Sequence, residues 1–156
     1  MRTRGFTLIE LLVTVAIVAL LASVALPMTE LTVQHAKEQE LHRALREIRT
    51  GIDAYKQAWD EGRIQKGLDD TGYPKTLDDL VAGTDDFKSP TRTKIYFLRR
   101  IPRDPLNPDT SIPAADTWGK RSYQSSADDP QEGDDVYDVY SLSKGTALNG
   151  TSYRDW

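Results

Sequence analysis

The chain has 156 residues, with 24 acidic against 20 basic side chains for a formal net charge of −4, 38% hydrophobic content, two histidines and no cysteine. A length of this order fits one domain with an appendage, and the scattered basic residues argue against a nucleic-acid groove or a polybasic membrane-surface patch. Without cysteine there is no disulfide framework, no thiol catalysis and no Cys-ligated zinc or iron–sulfur centre.

Apolar residues concentrate at one end. From Phe6 to Leu26 the sequence reads FTLIELLVTVAIVALLASVAL, with Glu10 as its one charge. At ~1.5 Å rise per residue such a run spans roughly 30 Å, the thickness of a bilayer's hydrocarbon core. Arg2 and Arg4 stand before it, so the positive-inside rule keeps that end cytoplasmic and exports whatever follows Leu26. Three readings compete for the segment. A secretory signal peptide explains the basic start and offers a cleavage site at Ser23-Val24-Ala25, but its apolar stretch is only ~7–15 residues and needs no carboxylate. A plain anchor fits the length and leaves Glu10 unexplained, since an acid at mid-membrane costs ~2.5–3.5 kcal/mol on insertion scales and usually marks a function.

The third reading accounts for both features. The string Arg4-Gly5-Phe6-Thr7-Leu8-Ile9-Glu10-Leu11-Leu12 resembles the processing site of the type IV pilin superfamily. That resemblance implies cleavage between Gly5 and Phe6 by a prepilin peptidase, methylation of the new amine of Phe6, and an assembly role for Glu10. The acid would neutralise the N-terminal ammonium of a neighbouring subunit inside an apolar filament core. Glycine before the cut lets a protease approach the backbone, and a buried ion pair is favourable only when both charges are satisfied together.

Pro27 is expected to kink or briefly break the helix. From about Thr29 to Glu61 the residues Leu41, Leu45, Ile48, Ile52, Tyr55 and Trp59 recur at spacings of four and three, which predicts one apolar stripe on a helix. Arg43, Arg46, Glu47, Arg49, Asp53, Lys56 and Asp60 fall mostly outside it. Gly62 is the expected stop. His35 and His42, with Glu38 between them, present a possible three-ligand metal face, one ligand short of the usual structural zinc; the preferred reading is exposed polar residues on a charged helix.

Residues 63 to 94 read as a connection holding one short helix, with Thr76 as cap, Asp79 three residues on, Leu77, Leu80 and Val81 as the apolar face and Gly83 at its end. The segment Tyr96-Phe97-Leu98-Arg99-Arg100-Ile101-Pro102-Arg103-Asp104-Pro105, followed by Asp116-Thr117-Trp118-Gly119, resembles a signature preceding a Trp-Gly turn in the G-type, or major, pseudopilins of type II secretion systems. Locally, the prolines stiffen an extended crossing, Asp104 is suited to accept backbone hydrogen bonds at a turn, and Trp118 supplies an apolar plug. Arg121 to Ser125 and Val136 to Leu142 read as two strands around an acidic loop, Asp128 to Asp135.

The tail from Ser141 to Trp156 also resembles the G-type family, whose C-terminal loop ending in Asp-Trp wraps calcium. The resemblance implies a calcium site using Asp155 with backbone oxygens around Leu142 and Ser143. Lys144 and Asn149 stand where many relatives carry aspartate, and one carboxylate with neutral oxygens binds calcium weakly. The alternative is a tail fixed by Tyr153 and Trp156 packing on the sheet; the acidic run Asp128 to Asp135 is a rival calcium location, though its preferred reading is a solvated loop.

No nucleophile motif, glycine-rich phosphate loop or His-Glu metal signature is present, so an enzyme is not expected. The expected fold is α+β and pilin-like, a long N-terminal helix packed on a small antiparallel sheet. Its divisions are a leader over 1–5, a membrane and filament-core helix over 6–28, an amphipathic helix over 29–62, a connecting loop over 63–100, and the sheet with its C-terminal loop over 101–156. The resemblance implies a structural subunit of a periplasmic pseudopilus, single-pass in the inner membrane with its C-terminal part in the periplasm. Self-assembly, other pseudopilins, prepilin peptidase and an inner-membrane secretion platform are the implied partners, with no nucleic acid. A type IV pilus subunit is the first alternative and an exported binding domain on a simple membrane anchor the second.

Overall fold

The structure is a computed structural model that describes residues 6–67 and 70–156, with residues 24–28 described in backbone only. The leader, and with it Gly5, lies outside the described residues. The chain divides into two compact units, Met1–Ala36 and Lys37–Trp156.

The first element is the helix α1 (Leu8–Asp60). In the first unit its apolar side chains are exposed: Leu8, Ile9, Leu12, Val18 and Leu20 are all more than half exposed. Among the described residues no helix is long and apolar enough to cross a membrane; the expected span, 6 to 26, runs into residues 24–28, whose side chains are outside the description. The helix continues through Pro27. Of the expected kink or break, the break does not occur, because a proline removes only one backbone donor from the ladder.

In the second unit the stripe is buried as its spacing predicts. Leu41, Leu45, Ile48 and Ile52 are at most 1% exposed and pack with Leu77, Leu80, Leu98, Trp118, Val136, Val139 and Tyr153 in one core. Helix α1 ends in a Schellman arrangement, with Arg63 N–H donating to the Ala58 carbonyl and Gly62 N–H to that of Trp59, both at 2.9 Å. Gly62 takes φ +70° there, a conformation that strains any side chain.

The connection is tied down beyond the turn. Arg63 donates from Nε and Nη2 to Asp86 Oδ2 at 3.1 and 2.7 Å, and this guanidinium holds the Asp86 carboxyl below the usual carboxylate range. A depressed acid stabilises the fold above its unfolded value, so the tie survives mild acidification and is lost only as pH falls through the lowered value. The short helix α2 (Asp79–Ala82) starts two residues later than the Thr76 cap predicts. Asp79 Oδ2 accepts the Thr76 N–H at 2.8 Å, the side-chain-to-backbone half of a capping box, and the Asp79 N–H donates to the Thr76 carbonyl at 3.3 Å.

The sheet is two antiparallel pairs. β1 (Thr84–Asp85) pairs with β2 (Lys94–Ile95), and β3 (Trp118–Arg121) pairs with β4 (Asp138–Ser141) in the register Trp118↔Ser141 to Arg121↔Asp138. The first predicted strand is therefore shifted: pairing begins at Trp118 and stops at Arg121, where Ser125 N–H turns back to the Ser122 carbonyl at 3.1 Å. The physical reason lies in the Trp-Gly pair, which is strand and not turn. Trp118 is 1% exposed and donates Nε1–H to the Pro102 carbonyl at 2.8 Å. A Cβ at position 119 would come within 2.3 Å of the Tyr140 ring across the ladder, so glycine is what lets the two strands close. The architecture is α+β and pilin-like, with α1 from Lys37 onward lying on small antiparallel sheets.

Candidate functional site

The candidate site residues fall one group in each unit: the helix start, with Phe6 and Glu10, in the first, and the tail, with Asp155, Leu142 and Ser143, in the second.

At the helix start Phe6 is 80% exposed. Thr7 and Glu10 form a reciprocal capping box. Thr7 N–H and Oγ1–H donate to Glu10 Oε2 at 3.0 and 2.7 Å, and the Thr7 hydroxyl oxygen accepts the Glu10 N–H at 3.3 Å. The Thr-x-x-Glu spacing was visible in the sequence, though the carboxylate's interest there lay in its charge. Its position one turn inside α1, beside the orphan amides of the helix end, is where a negative charge is favoured. The same carboxylate is thus within reach of any ammonium that approaches the beginning of the helix.

The tail is built differently from the expected metal loop. Its 3₁₀ turn (Tyr153–Asp155) is capped by Ser152, whose Oγ accepts the Arg154 N–H at 3.2 Å. Calcium takes six to eight oxygens from carboxylates, carbonyls and water, and the tail's side chains fit it poorly. Asp155 is the one acidic side chain of the tail, and it lines a cleft with Arg49, Arg121, Arg154, Asp128 and Asp138. In that cleft Asp138 already accepts from Arg49 at 2.7 Å and from Arg121 at 3.2 Å. The Asn149 amide oxygen is taken by Thr151 N–H and Oγ1–H at 3.0 and 2.7 Å. Leu142 is exposed and the Ser143 Oγ accepts the Gly145 N–H at 3.3 Å. Among the described residues no cluster of three or more His, Asp or Glu is arranged to hold a metal ion, and that includes His35, Glu38 and His42.

What anchors the tail is a set of residues that sequence reasoning left outside the stripe. Glu38, 7% exposed, accepts from Tyr153 OH at 2.8 Å and from Leu148 N–H at 2.9 Å. His42 stacks on Trp156 with ring centroids 4.0 Å apart and 6° between planes. Arg49 donates Nη1–H to the Trp156 carbonyl at 2.8 Å and Nη2–H to that of Val139 at 3.1 Å. Tyr153 and Trp156 do pack, edge to face at 5.2 Å. The sequence marked Glu38 only as lying between His35 and His42: its spacing of four and eleven residues from His42 and Arg49 gives a shared face, but not that a returning loop covers it.

A second buried carboxylate organises the crossing over the sheet. Asp104, 2% exposed, accepts the Leu106 N–H at 2.8 Å, as a turn acid should, and also the Ser141 hydroxyl at 2.5 Å. Its own N–H donates to Thr117 Oγ1 at 3.1 Å, so the proline-rich segment is fixed to β4 through Ser141 and to the residue just before β3 through Thr117.

Comparison with known proteins bears on both ends. Residues 1–26 match the family described as the prokaryotic N-terminal methylation motif. Over most of its length the chain is similar to proteins named type II secretion system core protein G. It is 29% identical to that of Klebsiella michiganensis over 146 residues, covering 90% of this chain and 95% of the relative. The protein of Dickeya chrysanthemi is 27% identical over 155 residues, with 96% and 94% covered. That of Klebsiella pneumoniae is 28% identical over 141 residues, with 86% and 93% covered. No solved structure gives a significant match.

Proposed function

We infer that this chain is a structural subunit of a type II secretion pseudopilus, the counterpart of core protein G. The observation that carries the reading is that the similarity to core protein G runs through 86 to 96% of the chain. A match confined to residues 1–26 speaks only for how the N-terminus is processed. The relatives' name describes a secretion apparatus component and no catalyst, in keeping with a chain whose sequence offers no catalytic motif.

The physical logic of a filament subunit follows from the first unit. An apolar surface of this extent, exposed from Leu8 to Leu21, is stable only against lipid or against copies of itself. In the inner membrane lipid covers it; after extraction, neighbouring subunits do, with the second unit in the periplasm. Prepilin peptidase would cut after Gly5, and Glu10 would then pair with the freed amine of an adjacent copy. Other pseudopilins and the inner-membrane platform complete the set of partners. A type IV pilus subunit has no comparable support along the rest of the chain.

Two experiments test this. N-terminal mass analysis of protein extracted from membranes is expected to show a chain starting at methylated Phe6. A start at Leu26, after Ser23-Val24-Ala25, would mean a secretory signal and end the filament reading. For Glu10, substitution by alanine should leave insertion intact or improve it, because a polar group costly in lipid is gone, and should sharply reduce crosslinking between subunits. Glu10→Gln separates charge from capping: glutamine still completes a capping box, so its assembly falls as far as that of the alanine variant if the charge pairs with an ammonium. Wild-type crosslinking in Glu10→Gln would leave only the cap.

A further inference from the structure

We propose that residues 145–156 are closed onto α1 by protein groups alone, with Glu38 as the anchor, so that the tail keeps its place without a bound cation. A calcium loop gathers oxygen acceptors around a positive charge. This tail does the converse and gathers donors around a buried negative one. Two donors to Glu38 Oε1 come from the tail, Tyr153 OH and Leu148 N–H, 115 and 110 residues away along the chain. A carboxylate that is 7% exposed is tolerated only with such donors, and the donors lose their partner if the loop leaves.

The remaining contacts extend the same closure along one face of α1. His42 lies one turn beyond Glu38 and carries the Trp156 ring. Arg49, two turns further, holds the Trp156 carbonyl and ties it to Asp138 of β4. The loop is also closed on itself. Trp156 Nε1–H donates to Thr151 Oγ1 at 2.7 Å, Ala147 N–H donates to the Thr151 carbonyl at 2.8 Å, and Thr146 bridges to Ser152. Lys144, exposed at the entry of the loop, is a charge that a cation-held tail would not place there.

The test is trypsin cleavage after Lys144 in the full chain purified in detergent, followed by intact mass, with cleavage after Arg103 as the control for global unfolding. Arg103 is pinned by its own bonds to the Ile112 and Asp109 carbonyls, both at 2.6 Å. The parent is expected to be cut after Lys144 at the same rate in millimolar calcium and in chelator. Glu38→Ala should raise that rate about tenfold or more in both conditions, since a charged hydrogen-bond acceptor is lost from a locally opening segment. Glu38→Gln, which keeps an oxygen for both donors, should stay near the parent. Where Glu38→Ala also speeds the Arg103 cut, Tyr153→Phe decides, because it removes one hydroxyl and keeps the ring; a few-fold faster Lys144 cut supports the anchor. A chelator that by itself frees the parent's tail overturns the proposal. So does a tail equally protected in Glu38→Ala, or in Tyr153→Phe where that variant decides.

Discussion

Ile52→Asp is expected to unfold the second unit or to bring it close to unfolding. Ile52 is 1% exposed, in the middle of the stripe that α1 presents to the core. The substitution removes a buried aliphatic side chain, worth about 2–5 kcal/mol with the cavity it leaves, and inserts a carboxylate that no donor is placed to meet. Burying even a neutral polar group without a partner costs about 1–3 kcal/mol by mutational data, and a charged one more. Against a total stability of about 5–15 kcal/mol for a domain, the sum removes most or all of it. The comparison position is Asp53, one residue on and exposed: Asp53→Ala should change the melting temperature little. The measurement is a thermal melt by circular dichroism of the chain lacking its first 28 residues, which keeps the whole of the second unit. A variant that melts with the parent would mean the stripe does not face the core.

Trp118→Ala carries the second large effect, about 3–5 kcal/mol for the ring alone. The indole is 1% exposed, and its N–H meets the Pro102 carbonyl at 2.8 Å. Truncation therefore opens a cavity between β3 and the proline-rich crossing and orphans a carbonyl at the same time. At roughly 3–4 °C per kcal/mol for a domain of this size, the melting temperature should fall by about 10–20 °C. Trp118→Phe separates the two contributions: it keeps most of the apolar volume and loses the donor, so its loss should be nearer 1–2 kcal/mol. If the two variants were equally destabilised, the hydrogen bond and not the ring would be what holds the crossing.

Local and periodic features were legible in the chain itself. The 41/45/48/52 stripe is buried where its spacing puts it, because a helix of fixed pitch brings every third or fourth residue to one side and water excludes the apolar ones. Gly62 ends α1, because a left-handed residue is needed where the last carbonyls fold back on themselves. The string from Arg4 to Leu12 identified the N-terminal motif, and the family match falls on that same end of the chain. Asp104 and Trp118 were marked as a turn acid and an apolar plug. Both are so placed, since each role depends on the residue's own chemistry.

Tertiary structure decided what depends on a distant partner. The strand begins at Trp118 and not at Arg121, because Gly119 opposes Tyr140, a residue 21 positions away whose ring leaves no room for a Cβ. Asp104 is buried by the Ser141 hydroxyl as well as by its own turn. Glu38 and Arg49, polar positions flanking the stripe, hold the tail, because the chain returns to cover them after more than a hundred residues. Hydrophobic periodicity tells which face of a helix avoids water. It carries no information on which polar neighbour of that face is later desolvated, since that is fixed by where the last loop lands and by the donors it brings.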